Sequence, residues 1–229
     1  MNQDYIDNKL KEILMKTDSH TIVWIDEKIK EHKKLMMYYK CAMMEVETKF
    51  KVLNEEYSLE HDRNPINSIK TRLKSLESIK EKMERLGIPV TTDNIEKHLN
   101  DIAGVRVICS FVDDVYALSE ALLRQDDITL IEKKDYIKHP KDNGYRSLHM
   151  IVAIPIYLSN EKQLIKVEIQ LRTIAMDFWA SLEHQLKYKK EFEFTEEMLQ
   201  ELTNCAEISS TLDQSMNDLR RKTLERKNT

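Results

Sequence analysis

The sequence predicts an α+β fold in which a central group of β strands lies between two long helices. Apolar residues recur at spacings of three and four from Ile22 to Tyr57, and this heptad pattern predicts a long helix packed along another helix. A similar pattern from Met198 to Leu219 predicts a second long helix, a candidate partner for the first in the same chain or in another subunit. Between the two, alternating apolar and polar residues predict strands.

The composition limits the kinds of site that the protein can carry. The chain has 229 residues, 33% of them charged, and a net charge of -4. A surface with this balance does not attract nucleic acid as a whole, so a site for a polyanion must be a local basic pocket. The three cysteines form no CxxC pair, which argues against a disulfide framework or a zinc site. The polar N-terminus and the lack of an apolar run of about 18 residues predict a cytoplasmic protein without a membrane span.

The chain divides into three predicted parts. Residues 1–60 form a helical extension, with a short helix at 3–16 before the long one. Residues 61–190 form the central domain, and residues 191–229 form a second helical extension. Long helices at both ends of a modest domain indicate assembly into an oligomer.

A helix with an unusual arginine is predicted at the start of the central domain. Asn64-Pro65 is a helix-start signal and Gly87 a helix end, so residues 64–86 are predicted to be helical. Arg72 would lie on the apolar face, where a guanidinium needs a planar or anionic partner, and we expect it to stack on a base. Lys74, Ser78 and Lys82 share another face and form either a phosphate-binding stripe or a solvated surface.

Two carboxylates stand out in the predicted strands. Asp93 is expected to cap a short helix that ends near Asn100, and Asp101 then precedes a strand at 105–111 that carries Arg106. A later strand has apolar residues at 165, 167, 169 and 171, and its other face carries Lys166, Glu168, Gln170 and Arg172. An ordered polar face on a central strand indicates a site, although an edge strand facing water would give the same pattern. Thr173 is predicted to cap the next helix.

The loop from Lys134 to His149 is strongly basic and rich in turn residues. It contains four lysine or arginine side chains, Pro140 and Asn143-Gly144, and Tyr145 follows directly. Lysines suit phosphates and an exposed ring suits a base, so the loop is a candidate nucleotide site, with a solvated charged loop as the alternative. A strand at 147–154 and a turn at 159–161 then predict a hairpin with the strand that carries Glu168.

These residue types together indicate metal-assisted transfer of a phosphoryl-type group. Asp101 and Glu168 come from different segments, and Mg²⁺ prefers a couple of carboxylates together with phosphate oxygens. No P-loop, GxGxxG or kinase motif is present, so the site must be built from separate segments.

Three segments, in this order, resemble the synthetase domain of the RelA/SpoT homologues: Asp101-Ile-Ala-Gly-Val-Arg106, the stretch from Asp135 to His149, and Val167-Glu-Ile-Gln-Leu-Arg-Thr173. The similarity covers roughly residues 60–190, and the helical flanks resemble the small alarmone synthetases, most of all the RelP type. The resemblance implies a nucleotidyltransferase-like fold, with a mixed sheet of about five strands surrounded by helices. It also implies transfer of the β,γ-pyrophosphate of ATP to the 3'-hydroxyl of GDP or GTP, which gives (p)ppGpp and AMP.

The resemblance implies a role for each candidate residue. For ATP, it implies that adenine lies between Arg72 and Arg106 and that the phosphates are held by Lys74, Ser78 and Lys82. For the reaction, it implies that Asp101 binds Mg²⁺ and that Glu168 shares the metal or takes the proton of the 3'-hydroxyl. For the acceptor, it implies that Tyr145 stacks on guanine and that the phosphates are held by Lys134, Lys141, Asn143 and His149. We add Asp177 as a reader of the guanine edge, because a carboxylate accepts from both N1–H and N2–H.

The resemblance also sets out what remains open. Glu132-Lys-Lys-Asp135 mixes two family patterns, so the preference for GDP or GTP is not predicted. His61-Asp62 stands without further metal-binding residues, which predicts synthesis without hydrolysis. The family further implies a homotetramer, while RNA binding and regulation by nucleotides stay undetermined. Two alternatives are an RNA-directed nucleotidyltransferase, which usually has paired carboxylates on one strand, and an inactive helical binding module.

Overall fold

The computed structural model describes residues 19–61, 63–187 and 194–227, and contains six helices and five strands within those ranges. The helices are α1 (Ser19–His61), α2 (Leu76–Arg85), α3 (Thr92–His98), α4 (Val112–Leu123), α5 (Ile174–Lys187) and α6 (Glu196–Lys227). The strands are β1 (Ile66–Leu73), β2 (Ala103–Cys109), β3 (Thr129–Asp135), β4 (Leu148–Tyr157) and β5 (Lys162–Thr173). The short helix predicted at 3–16 lies outside the described residues.

The five strands form one mixed sheet in the order β1-β2-β5-β4-β3. β2 and β5 are parallel, and the other neighbours are antiparallel. β5 alternates between buried apolar and partly exposed polar residues, as its sequence predicts, because one of its faces looks into the core. The predicted α+β class and the five-stranded mixed sheet are confirmed.

Helix α1 covers one face of the sheet. Its buried residues follow the predicted spacing of three and four, and they join the inward-facing strand residues in one core. The predicted long helix is therefore confirmed, but the expected helical partner within the same chain is wrong, because α1 packs mainly against β1, β2, β4 and β5. An apolar helical stripe can be buried as well by a sheet as by another helix, so the heptad spacing alone could not decide.

The predicted helix at 64–86 is wrong in its first half. Residues 66–73 form strand β1, which pairs antiparallel with β2, and the helix begins only after Ser75, whose hydroxyl accepts from the N–H of Ser78 at 3.2 Å. Ile66, Ile69 and Thr71 are β-branched and suit a strand, although the spacing of the apolar residues also fits a helix. Arg72 thus lies on a strand, and the argument that placed it on an apolar helical face does not hold.

The helix ends are fixed by short polar side chains and by contacts with α6. Thr91, and not Asp93, caps α3, because the Thr91 hydroxyl is the group that accepts from the N–H of Asn94. The predicted cap at Thr173 is confirmed by a 3.2 Å bond from the Met176 N–H.

Helix α6 packs mainly against α5 and α4, not against the long N-terminal helix. Among the described residues, no helix is both long and apolar enough to cross a membrane.

Candidate active site

The polar face of the sheet collects candidate side chains in two neighbouring rows. Cross-strand partners share a face, so the register of the strands places these residues side by side. The first row, from β1 to β3, is Lys70, Arg106, Gln170, His149 and Lys134. The second row is Arg72, Gly104, Glu168, Ile151 and Glu132. Cations therefore stand at both edges of the sheet and Glu168 stands near its middle.

Two clefts open on this face, and we name them by the strands that border them. The β1–β2 cleft is lined by Lys70, Thr71, Arg72, Lys74, Asp101, Gly104, Val105, Arg106, Glu168 and Gln170. The β3–β4 cleft is lined by Glu132, Lys134, Tyr136, Lys141, His149, Ile151 and Glu168. Glu168 lines both clefts. Gly104 has no side chain between Arg72 and Glu168, which leaves the floor of the β1–β2 cleft clear.

Asp101 is the anionic centre of the β1–β2 cleft. Its two carboxylate oxygens lie 2.7 Å from the Lys74 Nζ and 2.8 Å from the Lys82 Nζ. Burial raises the pKa of Asp101, but the hydrogen bonds from the two lysines outweigh it and hold the pKa below its usual value. The two predicted phosphate-binding lysines are thus already gathered around the predicted metal ligand.

Glu168 has the opposite electrostatic environment. Burial and the nearby negative charge of Asp101 raise its pKa above the usual value, although Gln170 donates to its Oε2 at 3.2 Å. A raised pKa makes a carboxylate a better proton acceptor. Two carboxylates with opposite shifts commonly take different roles in one site.

The β3–β4 cleft is built around three aromatic rings. Tyr136, Tyr145 and His149 meet edge to face, with ring centroids 5.2–6.1 Å apart. The Lys141 Nζ lies 4.8 Å from the Tyr136 ring centre and 4.9 Å from that of Tyr145, so its charge is held over the rings. Lys134 pairs with Glu132 at 2.8 Å.

His149 is neutral at the centre of this cluster. Burial, followed by the positive charges of Arg172, Lys141 and Lys134, lowers its pKa to about 3. Its Nε2 lies 2.8 Å from the Tyr145 hydroxyl, and its Nδ1 lies 3.7 Å from Glu168 Oε1. A phosphate bound nearby would place its negative charge among these three cations and next to a neutral imidazole.

Asp177 lies in the first turn of α5 and is surrounded by cations. Its carboxylate is 3.0 Å from the Lys70 Nζ, 3.4 Å from Arg106 Nη1 and 3.2 Å from Arg172 Nη1. In this arrangement it orients the arginine of the β1–β2 cleft. To read a guanine edge, as predicted, the carboxylate must give up part of this pairing.

Five predicted site residues are not part of either cleft lining: Ser78, Lys82, Asn143, Tyr145 and Asp177. Ser78 takes part in the cap of α2, and Asn143 donates to Glu183 at 3.2 Å while it accepts from the Tyr145 N–H. The prediction missed Lys70 and Tyr136. Recognition of β1 as a strand would have placed Lys70 on the same face as Arg72, and Tyr136 is part of the basic loop.

The carboxylates fit a hard divalent cation. Within the ranges that the structure describes, there is no group of three or more His, Cys, Asp and Glu side chains arranged for a metal. Asp101 and Glu168 supply two carboxylates in one cleft, which matches Mg²⁺ because this ion takes its remaining ligands from phosphates and water.

The fold and the polar face define a nucleotidyltransferase-like protein with two clefts that share a carboxylate. The family described as "Region found in RelA / SpoT proteins" matches residues 71–193, more than half of the chain. GTP pyrophosphokinase YwaC of Bacillus subtilis is 45% identical over 188 residues, which is 82% of this chain and 90% of that protein. The chain belongs to the RelA/SpoT family.

Solved structures agree with this assignment. Small alarmone synthetase 2 from Bacillus subtilis aligns with a TM-score of 0.76 and 43% identity, over 84% of this chain and 99% of that one. Small alarmone synthetase 1 from the same organism, bound to its product pppGpp, aligns with a TM-score of 0.76 and 37% identity, over 84% and 98%. The long terminal helices belong to the same overall fold as in these proteins.

Proposed function

We propose that this protein is a (p)ppGpp synthetase that transfers the β,γ-pyrophosphate of ATP to the 3'-hydroxyl of GDP or GTP. The observation that carries the proposal is the position of Glu168, which lines both clefts. A donor in one cleft and an acceptor in the other would meet at this carboxylate. The named activities of the relatives, GTP pyrophosphokinase and small alarmone synthetase, support the same reaction.

ATP would occupy the β1–β2 cleft. Arg72 and Arg106 stand across the open floor at Gly104, where an adenine ring fits between two guanidinium groups. The triphosphate would draw Lys74 and Lys82 away from Asp101, with Ser78 at the start of α2 as a further donor. Asp101 would hold Mg²⁺, which would supply charge neutralisation on the phosphate oxygens, and Glu168 would either share the ion or act as the base.

GDP or GTP would occupy the β3–β4 cleft. Tyr145 would stack on guanine, and Lys134, Lys141 and His149 would hold the phosphates, with Asn143 shaping the turn before the ring. Asp177 would read the guanine edge, and replacement by alanine tests this role. Unchanged discrimination between GDP and ADP in Asp177→Ala would remove Asp177 from the proposal.

The chemical step is a direct displacement. The acceptor 3'-oxygen attacks the β-phosphorus of ATP, its proton passes to a Glu168 carboxylate oxygen, and the bond between the β-phosphorus and the oxygen bridging to the α-phosphorus breaks. AMP leaves with that oxygen. Because the pKa of Glu168 is raised, activity should begin to fall on the acid side at a pH above the usual glutamate value.

Product analysis tests the function directly. The protein is incubated with ATP, Mg²⁺ and either GDP or GTP, and the products are separated by anion exchange. We expect AMP together with a tetra- or pentaphosphate, at least about 100-fold less product from Glu168→Gln, and full activity from Glu161→Gln, which makes the same exchange outside both clefts. Intact ATP with both acceptors would contradict the proposal. Loss of added (p)ppGpp in the presence of Mn²⁺ would contradict the expected absence of hydrolysis.

We further propose a homotetramer in the cytoplasm. Helix α6 leaves a stripe of large apolar side chains exposed, with Ile208 at 70%, Leu212 at 59% and Leu219 at 55%. A second copy of the chain would cover this stripe. Light scattering should give about four times the chain mass of 27.2 kDa, and a smaller mass for Ile208→Asp. A wild-type mass of one chain would rule out the assembly.

A further inference from the structure

Arg172 is a buried arginine that lines neither cleft but contacts Gln170 of the β1–β2 cleft and Tyr145, which in turn contacts His149 and Lys141 of the β3–β4 cleft. It is the penultimate residue of β5, and 5% of its surface is exposed to solvent. Its Nη2 donates to the Tyr145 hydroxyl at 2.6 Å and to Gln170 Oε1 at 2.9 Å, while its Nη1 donates to Asp177 at 3.2 Å. The guanidinium carbon also lies 5.1 Å from the centre of the Tyr145 ring.

The direction of the hydrogen bonds through Tyr145 follows from the donors available. A guanidinium has no acceptor, so the Tyr145 oxygen must accept from Arg172. The hydroxyl proton of Tyr145 can then point to His149 Nε2, 2.8 Å away. When Nε2 accepts this proton, the ring N–H of His149 is on Nδ1, which is the nitrogen that faces Glu168 at 3.7 Å. Arg172 thereby orders a chain of groups that ends at the proposed base.

The other contacts of Arg172 lead into the β1–β2 cleft. Gln170, which accepts from Arg172, donates to Glu168 Oε2 at 3.2 Å. Asp177, which also accepts from Arg172, contacts Arg106 and Lys70. The planar guanidinium of Arg172 therefore holds the Tyr145 ring directly, Glu168 through Gln170, and Arg106 through Asp177. A lysine could not reach Tyr145, Gln170 and Asp177 at once.

We propose that Arg172 is a positioning residue that couples the two clefts, so that acceptor binding against Tyr145 tightens the binding of ATP. The inference rests on the proposed function, because it assigns the two clefts to acceptor and donor. A change of the Tyr145 position on stacking is transmitted by Arg172 to Asp177 and Gln170. The two substrates then bind cooperatively through these protein contacts, in addition to their meeting at Glu168.

A buried arginine could instead serve stability alone, and the chain offers a matched control for this alternative. Arg63 is also a partly buried guanidinium with a two-point bond to a buried carboxylate, that of Asp114, and it too lies over an aromatic ring, Phe111. This cluster is beyond the carboxyl end of β2 and contributes no residue to either cleft lining. Arg63→Lys should lower the melting temperature and leave nucleotide binding unchanged.

The experiment measures the affinity of a non-hydrolysable ATP analogue with and without saturating GDP. In the wild type we expect GDP to tighten analogue binding by at least about fivefold. Arg172→Lys and Tyr145→Phe, which keeps the ring, should each abolish this gain, and the double variant should be no worse than Arg172→Lys alone. No gain in the wild type, a gain preserved in Tyr145→Phe, or additive effects in the double variant would each overturn the proposal.

Two results separate this inference from the proposed function and from misfolding. If Arg172→Lys does not fold, Tyr145→Phe decides whether the clefts are coupled, because it removes only the hydroxyl that bonds to Arg172. If Tyr145→Ala leaves the KM for GDP unchanged, the acceptor site itself is wrong, and the coupling fails with it. A raised KM in Tyr145→Ala together with an intact gain in Tyr145→Phe removes only the coupling.

Discussion

The two clefts differ in how their charges are balanced before a nucleotide arrives. In the β1–β2 cleft, cations are paired with carboxylates: Lys74 and Lys82 with Asp101, and Arg106 with Asp177. In the β3–β4 cleft, Lys141 lies over two rings and His149 is kept neutral by burial and by its cationic neighbours. A donor must therefore replace internal ion pairs of Asp101, whereas an acceptor meets Lys141, which lies over two rings, beside Lys134, which is paired with Glu132 at 2.8 Å.

Glu168→Gln should have the largest effect, because it removes the one group that both clefts share. We expect kcat to fall about 100- to 10,000-fold, the usual contribution of a general base. Both nucleotides should still bind, since their cationic contacts remain. The melting temperature should rise, because burial of the charged form disfavours folding at neutral pH. Single-turnover rates and thermal melts check both parts, and an unchanged kcat would exclude Glu168 as the base.

Lys74→Met should affect one cleft only. Loss of a charged contact to phosphate should raise the KM for ATP roughly 10- to 100-fold and leave the KM for GDP within about twofold. The pKa of Asp101 should rise, because Lys74 is among the groups that lower it. Steady-state kinetics with each substrate varied in turn provide the measurement, with Lys80→Met on the helix α2 that follows Lys74 as the control. Equal changes in both KM values would end the distinction between the clefts.

His149→Gln should change the pH dependence of stability. The unfolded chain binds a proton at this position below about pH 6.5, whereas the folded protein does so only near pH 3, so stability falls as the pH drops through this interval. The group should account for about 2 kcal/mol of the loss at pH 5. Urea unfolding at pH 7.5 and 5 should show a smaller loss in the variant, and no such reduction for His139→Gln, an exposed position. Equal losses in wild type and His149→Gln would mean that His149 titrates normally.

Asp213→Asn, on helix α6 and outside both cleft linings, should have the smallest effect. Burial raises the pKa of Asp213, which outweighs the 2.6 Å bond that its Oδ2 accepts from Thr173. An amide keeps the acceptor and removes the buried charge, so stability at neutral pH should stay the same or increase by up to about 1 kcal/mol. Asp213→Leu, which loses the acceptor, should be less stable than Asp213→Asn. The reverse order in urea unfolding would contradict this account.

The sequence predicted much of the site because the important residues lie on strands with clear alternation. Glu168, Gln170 and Arg172 were assigned to one polar face, and the structure places them there. The error at β1 arose because apolar spacing of three and four does not exclude a strand, and pairing with β2 decided the outcome. The contact between Arg172 and Tyr145, and the three cations around Asp177, join segments distant in sequence, and no local pattern specifies such contacts.

The order of the strands has a consequence for how such an enzyme can diversify. β3 is an edge strand that contacts the rest of the sheet only through β4, and it carries Glu132 and Lys134 into the β3–β4 cleft. β5, in contrast, serves both clefts. Under the proposed assignment of the clefts, substitutions along β3 would alter acceptor choice while the donor site is preserved, and the mixed Glu132-Lys-Lys-Asp135 segment of this chain lies on this edge strand.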